Sequence, residues 1–258
     1  MATSRHTATT AGTNTVRPRR IDAHDAGRGP DDARSVGTSC GHSAHGAPST
    51  GDTVRVDPAP SNSPLADLLT QVRACRLCAE HLPLGPRPVL VASTTARLLI
   101  AGQAPGTRVH ASGIPWDDAS GVRLRRWLGL DPAEFYDPAR VAIVPMGFCY
   151  PGKGTSGDLP PRPECRAQWH DRLFAELPGI RLKVVIGHYA VAYHLAGQVK
   201  PGTSLTEVVA DWRSRLPGLF VLPHPSPRNE VWLRRNLWFE AEVVPVLQGA
   251  VRELLQSG

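Results

Sequence analysis

The sequence predicts an α/β protein, a three-layer α/β/α sandwich with a central, mostly parallel four-stranded sheet. Three observations carry this. Four short runs of Val, Ile and Leu lack polar alternation, which is the pattern of parallel strands covered on both faces. Segments with apolar residues at helical spacing lie between those runs, so strands and helices alternate. Turns rich in glycine and proline close the first and last runs, at the end of the sheet where such folds bind ligands.

The elements follow in chain order. Leu65, Leu68, Leu69 and Val72 recur at helical spacing, and Ser63 with Pro64 makes a capped start. The first strand is expected over Arg97–Gly102 and is followed by a helix over Ser120–Leu130. The second strand, Val141–Pro145, leads to a helix over Arg162–Leu177. The third, Lys183–Gly187, precedes helical patterns at His188–Leu195 and Thr206–Arg215. The fourth is Leu219–Pro223, and a last helical region, Glu230–Leu255, is expected to bend near Pro245. No internal repeat is visible.

The chain has 258 residues, 41% of them hydrophobic, enough for one sizeable α/β domain. Its 24 Gly and 25 Pro are too many for a chain folded throughout. Residues 1–62 are rich in small and polar side chains and nearly free of large apolar ones, so they are read as a disordered N-terminal tail, and 63–258 as the folded domain. The net charge of +6 and a pI near 9.4 suit a polyanionic partner or, equally, a solvated basic surface. No apolar stretch approaches the roughly 20 residues of a membrane span, and the N-terminus has no apolar signal core. The expected setting is therefore cytoplasmic (nucleoid-associated in a prokaryote), with reduced thiols available for metal rather than disulfides.

The strand ends carry the chemistry. The first strand closes in Gly102-Gln103-Ala104-Pro105-Gly106, and the fourth in His224-Pro225-Ser226-Pro227-Arg228-Asn229. Glycine lets a backbone approach a ligand closely, proline stiffens the loop, and inward N–H groups can hold an oxygen. The first turn is neither the GxGxxG nor the GxxxxGK[ST] pattern. Cys75 and Cys78 form a CxxC pair, and Cys149 and Cys165 a C-x15-C pair. Four thiols in two clusters suit a tetrahedral metal or an iron–sulfur cluster, and the wide second spacing is poor for a zinc ribbon. Cys40 lies in the tail, apart from these.

GQAPG, HPSPRN and the cysteine order together resemble the uracil-DNA glycosylase superfamily over roughly residues 64 to 255, with a cysteine layout similar to its iron–sulfur (family 4) branch. The resemblance implies the superfamily's fold and a monofunctional hydrolase that cuts the N-glycosidic bond of uracil or another deaminated base flipped out of DNA. It implies a [4Fe–4S] cluster on Cys75, Cys78, Cys149 and Cys165. It places Gly102, Gln103, Ala104 and Pro105 in the loop that positions water and base, and Trp116 where an aromatic stacks on the extruded base. His224 matches the histidine that stabilises charge on the departing base, and Ser226, Arg228 and Asn229 lie in the loop that enters the duplex. The partner implied is single- or double-stranded DNA carrying a damaged base, bound by a monomer with no membrane involved. Gln103 stands where the branch has Glu, and Pro145 where it has an Asn that reads uracil.

Glycosidic cleavage needs a stabilised leaving anion and a placed water. Asp117 and Asp118, directly after Trp116, are the carboxylate candidates for the water, Asp118 being equally suited to cap the helix that follows. Arg123, Arg125 and Arg126 on one helix, with Arg234 and Arg235 after the second motif, are candidates for phosphate contact or for solvated helix faces. Two other readings stand beside the enzyme: a catalytically inactive iron–sulfur DNA-binding or damage-sensing protein of the same fold, and a small-molecule hydrolase, against which there is no GxSxG elbow.

Overall fold

The structure, a computed structural model, describes residues 63–155 and 157–256. The tail expected over 1–62, with Cys40, lies outside the described residues.

Four strands form one sheet: β1 (Leu98–Ala101), β2 (Val141–Ile143), β3 (Leu182–Ile186) and β4 (Leu219–Leu222). Their order is β2-β1-β3-β4 and every pairing is parallel, with Leu98 opposite Val141 and Leu182, and Val185 opposite Val221. β2 lies on one side of β1 and β3 on the other, so the chain reverses its direction of winding at β1. The carboxyl end of β1 is therefore the switch point, where loops diverge and leave a crevice.

Among the described residues, ten α-helices accompany the sheet: α1 (Pro64–Arg73), α2 (Thr107–Ser112), α3 (Ala119–Leu128), α4 (Pro132–Phe135), α5 (Pro163–Cys165), α6 (Asp171–Ala175), α7 (Gly187–His194), α8 (Leu205–Ala210), α9 (Glu230–Arg235) and α10 (Val244–Gln256). Ser63 caps α1, its hydroxyl accepting from the Ala66 N–H, and Asp131 and Ser204 form capping boxes at α4 and α8. Alternation along β1 separates the layers. Leu98 and Ile100 pack into one apolar cluster with Leu124 and Trp127 of α3, Val208 and Val209 of α8, and Leu247 and Val251 of α10. Leu99 packs into a second with Leu68 and Val72 of α1 and Trp169 and Leu173. Both faces of the sheet are dry, which explains the unbroken apolar runs.

The structure corrects three details. The helix expected over Arg162–Leu177 contains a π turn at Arg166–His170, one extra residue that turns His170 inward so its Nε2 meets the Pro145 carbonyl at 3.1 Å. The C-terminal helical region is interrupted after α9, where the Asn236 side chain donates to the Trp232 carbonyl, and a π turn at Phe239–Val243 lies just before Pro245. The helical backbone runs unbroken from that π turn into α10, so Pro245, which has no N–H to give, follows directly on the wider turn. α2 lies in a segment with too little apolar periodicity to announce it, since only Val109 is buried.

Candidate functional site

A cleft of about 710 Å³ opens at the carboxyl ends of the strands. Its walls are the Gly102–Gly106 loop after β1, Trp116 and Asp118 before α3, the start of α7 at His188 and Tyr189, the loop from His224 to Asn229, and Gly157-Asp158. Volume and position both suit a ligand site. Gly102, Gln103, Ala104, Pro105, Trp116, Asp118, His224, Ser226, Arg228 and Asn229 all line it, so the two glycine- and proline-rich turns share one space.

Trp116 is held on every side. Its φ is +58°, and it is the one non-glycine residue with positive φ among the described residues. Gly102 leaves room for the indole, since a Cβ there would stand 2.9 Å from Trp116 Cζ2. Gly121 leaves room for its backbone, because a Cβ there would fall 1.7 Å from the Trp116 carbonyl oxygen. Arg125 reaches that oxygen at 3.5 Å while also donating to the Tyr136 hydroxyl. A backbone in a sparsely populated region persists only where its surroundings over-determine it, and such strain gathers at functional sites. The indole faces the His224 ring at 5.7 Å between centroids, inclined by 37°.

His224 is fixed in one tautomer. The Ser226 N–H donates to its Nδ1 at 3.2 Å, so the neutral ring carries its proton on Nε2. Burial holds its pKa below the usual histidine value, against a smaller upward pull from Asp118. Asn229 donates to the His224 carbonyl at 2.7 Å, and the Ser226 hydroxyl accepts from the Arg228 N–H. The loop thus presents a neutral N–H donor on a stiff mount.

The carboxylates do not all lie as expected. Asp118 lines the cleft and also caps α3, its Oδ1 accepting from the Gly121 N–H at 2.8 Å. Asp117 does not line the cleft. It follows Trp116 directly, and its charge, like that of Asp118, acts on the Tyr136 hydroxyl. Gln103 lines the cleft, but its amide nitrogen donates to the carbonyls of Leu159 at 2.9 Å and Asp158 at 3.4 Å. A second carboxylate, Asp158, enters from the segment between Cys149 and Cys165. Burial raises its pKa above the ordinary carboxylate range, Arg228 and Lys153 pull it back, and Asp118 adds to the rise. Nothing in the pattern of that Pro/Gly-rich loop announces Asp158. His188 and Tyr189 follow β3 directly, and the rule applied to the other strand ends would have found them.

The three arginines of α3 are occupied. Arg123 pairs with Glu230 at 2.8 Å, Arg126 with Glu240 at 3.0 Å, and Arg125 lies over Phe135 and Tyr136. They tie α3 to its neighbours. Arg234 and Arg235 on α9 are exposed.

The four cysteines approach one another from three segments. Cys78 packs against Leu82 and Cys149, while Cys165 and Cys75 border the α1 side of the core. Cys149 and Cys165 each feel the charge of Cys78 and Cys75. Burial pushes Cys149 up to about 11 and Cys165 up to about 12, opposed by backbone hydrogen bonds from Arg87 and Phe148. Among the described residues, no three His, Cys, Asp or Glu side chains gather around a point that would hold a single metal ion. Thiolates are the ligand type that an iron–sulfur cluster or a structural zinc takes, and Cys149 and Cys165 each receive a backbone hydrogen bond.

A comparison with protein families agrees with this layout. The family model of the Uracil DNA glycosylase superfamily matches residues 89–248, more than half of the chain.

Proposed function

The chain belongs to the uracil DNA glycosylase superfamily, and from that premise we propose that it hydrolyses the N-glycosidic bond of uracil or another deaminated base flipped out of DNA. The observation that carries this reading is the pairing of Trp116 with His224 across one cleft. An extruded base needs an apolar plane to replace the stacking it has lost, and the indole supplies one. A base leaving with the bond electrons needs a hydrogen-bond donor at its developing charge, and the Nε2–H of a neutral His224 supplies that. The tautomer is set by the Ser226 backbone, so the donor needs no rearrangement during the reaction. Asp118, at the same wall, offsets positive charge growing on the sugar. Arg108 and Arg228 line the mouth, where DNA phosphates would pass.

In the same reading, Cys75, Cys78, Cys149 and Cys165 hold a [4Fe–4S] cluster. Bound there, the group supplies four covalent anchor points and no redox step for a hydrolysis. The protein's own contribution is to carry Asp158 and Leu159 on the loop between the third and fourth cysteines, where Gln103 reaches them.

The test is incubation of the purified full chain with single- and double-stranded oligonucleotides carrying uracil, hypoxanthine or xanthine. Alkali-labile strand breaks at the modified position are expected with at least one of them. Tight binding without product from any would replace the enzyme with a damage-sensing protein of the same fold.

A further inference from the structure

We propose, resting on the glycosidic reading above, that Asp158 is the carboxylate that holds the attacking water, and that Gln103 is the residue that positions it. Asp158 sits on a hairpin closed by an antiparallel bridge between Lys153 and Asp158, with the Leu159 N–H donating to the Gly152 carbonyl at 2.8 Å. The hairpin lies directly over the loop that ends β1. Asp158 Oδ2 is 3.5 Å from where a Cβ on Gly106 would stand, and the two Gln103 amide bonds staple the hairpin's carbonyls to that loop. The amide nitrogen of Gln103 is spent on this staple, so its role is to place the neighbouring carboxylate rather than to meet the water.

The two cleft carboxylates differ in what they have left to offer. Asp118 commits Oδ1 to the Gly121 N–H. Among the described residues, no group hydrogen-bonds to the Asp158 carboxyl, so both its oxygens remain to accept from a water. The charged groups acting on it are Arg228 from the loop after β4, Lys153 from its own hairpin and Asp118 from the start of α3. Its raised pKa moves it toward the range in which a carboxylate works best as a base at neutral pH. Asp158 is open to solvent at the cleft mouth, where water is at hand until the duplex closes over it.

The step balances as follows. The C1′–N bond breaks and its electron pair leaves with the base, which departs as an anion hydrogen-bonded to His224 Nε2–H. The water oxygen forms the new C1′–O bond. The proton it loses passes to the Asp158 carboxylate and from there to solvent, and the base anion later takes a proton from solvent.

Two measurements test this on the full chain. In the first, single-turnover excision is followed against pH. The wild type should show an acid limb set by a carboxylate titrating above its ordinary range. Asp158→Asn should lose that limb and fall about 100-fold or more in rate, with substrate affinity retained. Gln103→Leu should lower the rate about 10-fold and displace the limb, which a purely structural role would not do. In the second, binding is compared between DNA carrying a neutral tetrahydrofuran abasic site and DNA carrying a cationic pyrrolidine one, which mimics the charged sugar. The wild type should prefer the cation, and Asp158→Asn should weaken that preference measurably, with Asp118 supplying the remainder. An Asp158→Asn protein that keeps its rate within threefold, or its full cation preference, overturns the assignment and leaves the glycosylase reading standing. A wild type that neither excises a base nor prefers the cationic site overturns the glycosylase reading, and this inference with it.

Discussion

The indole of Trp116 rests on Gly102, the first residue after β1, with no space for even a methyl group between them. The strand end cannot yield, so Gly102→Ala must displace the ring into the cleft. The expected result is a 10- to 100-fold loss of base excision with a stability cost of about 1–3 kcal/mol, the usual range for overpacking. Single-turnover kinetics beside thermal denaturation check both numbers. Unchanged excision in a folded Gly102→Ala protein would show that the ring is not the stacking plane.

His224 should matter through one hydrogen bond. Replacing it with Ala removes the donor to the leaving anion and is expected to cost roughly 100- to 1000-fold in excision rate, the range for one preorganised donor. Substrate binding should change little. Because burial lowers the ring's pKa, protonation of His224 should not reduce activity between pH 7 and the ordinary histidine value. A rate that falls with a midpoint at or above that value in the wild type, and not in His224→Ala, would contradict the neutral assignment.

The molecule should lose stability in mild acid. His170 is buried and His194 half-buried, and desolvation pushes each down to about 4 from the ordinary 6.5, so both rings are neutral. Between those values the unfolded chain takes up protons that the native state refuses, so stability is complete above about pH 6.5 and falls as pH drops toward 4. Each ring contributes about 3 kcal/mol to that fall. Urea denaturation from pH 7.5 to 4 measures the slope. His194→Leu should make it shallower, the more so because the His194 Nε2 is buried without a partner.

Iron should bind where the thiols meet. Anaerobic purification is expected to yield a brown protein with visible sulfur-to-iron absorption and about four irons per chain. Cys149→Ser and Cys165→Ser should each lose most of the iron and lower the melting temperature. Colourless, fully stable wild-type protein after reconstitution would remove the cluster from the account.

Much of this architecture is legible in the chain itself. β1 to β4 announce themselves because both faces of a parallel sheet are dry, which leaves Leu98-Leu99-Ile100 and its counterparts without polar interruption. The glycine- and proline-rich turns lead to the cleft because backbone packing there tolerates few alternatives. Asp117 and Asp118 are adjacent in sequence, and nothing local says which of them lines the cleft. The pairing of Arg123 and Arg126 is invisible in the sequence because their partners, Glu230 and Glu240, arrive from more than a hundred residues away. Asp158 is hidden for a related reason: it reaches the cleft through a hairpin held by Gln103, a contact that spans 55 residues and has no local signature.

The immobility of Trp116 has a consequence for selectivity. With Gly102 beneath its ring, Gly121 against its carbonyl and Arg125 on the same oxygen, this side of the pocket is a rigid template rather than a flap. Its ordering entropy was lost when the chain folded, so a visiting nucleobase gains the full benefit of stacking. The same stiffness means the Trp116 face cannot shift to make room for a bulkier heterocycle. Discrimination by ring size should accordingly be sharp, and a broader appetite would have to come from residues on the opposite side.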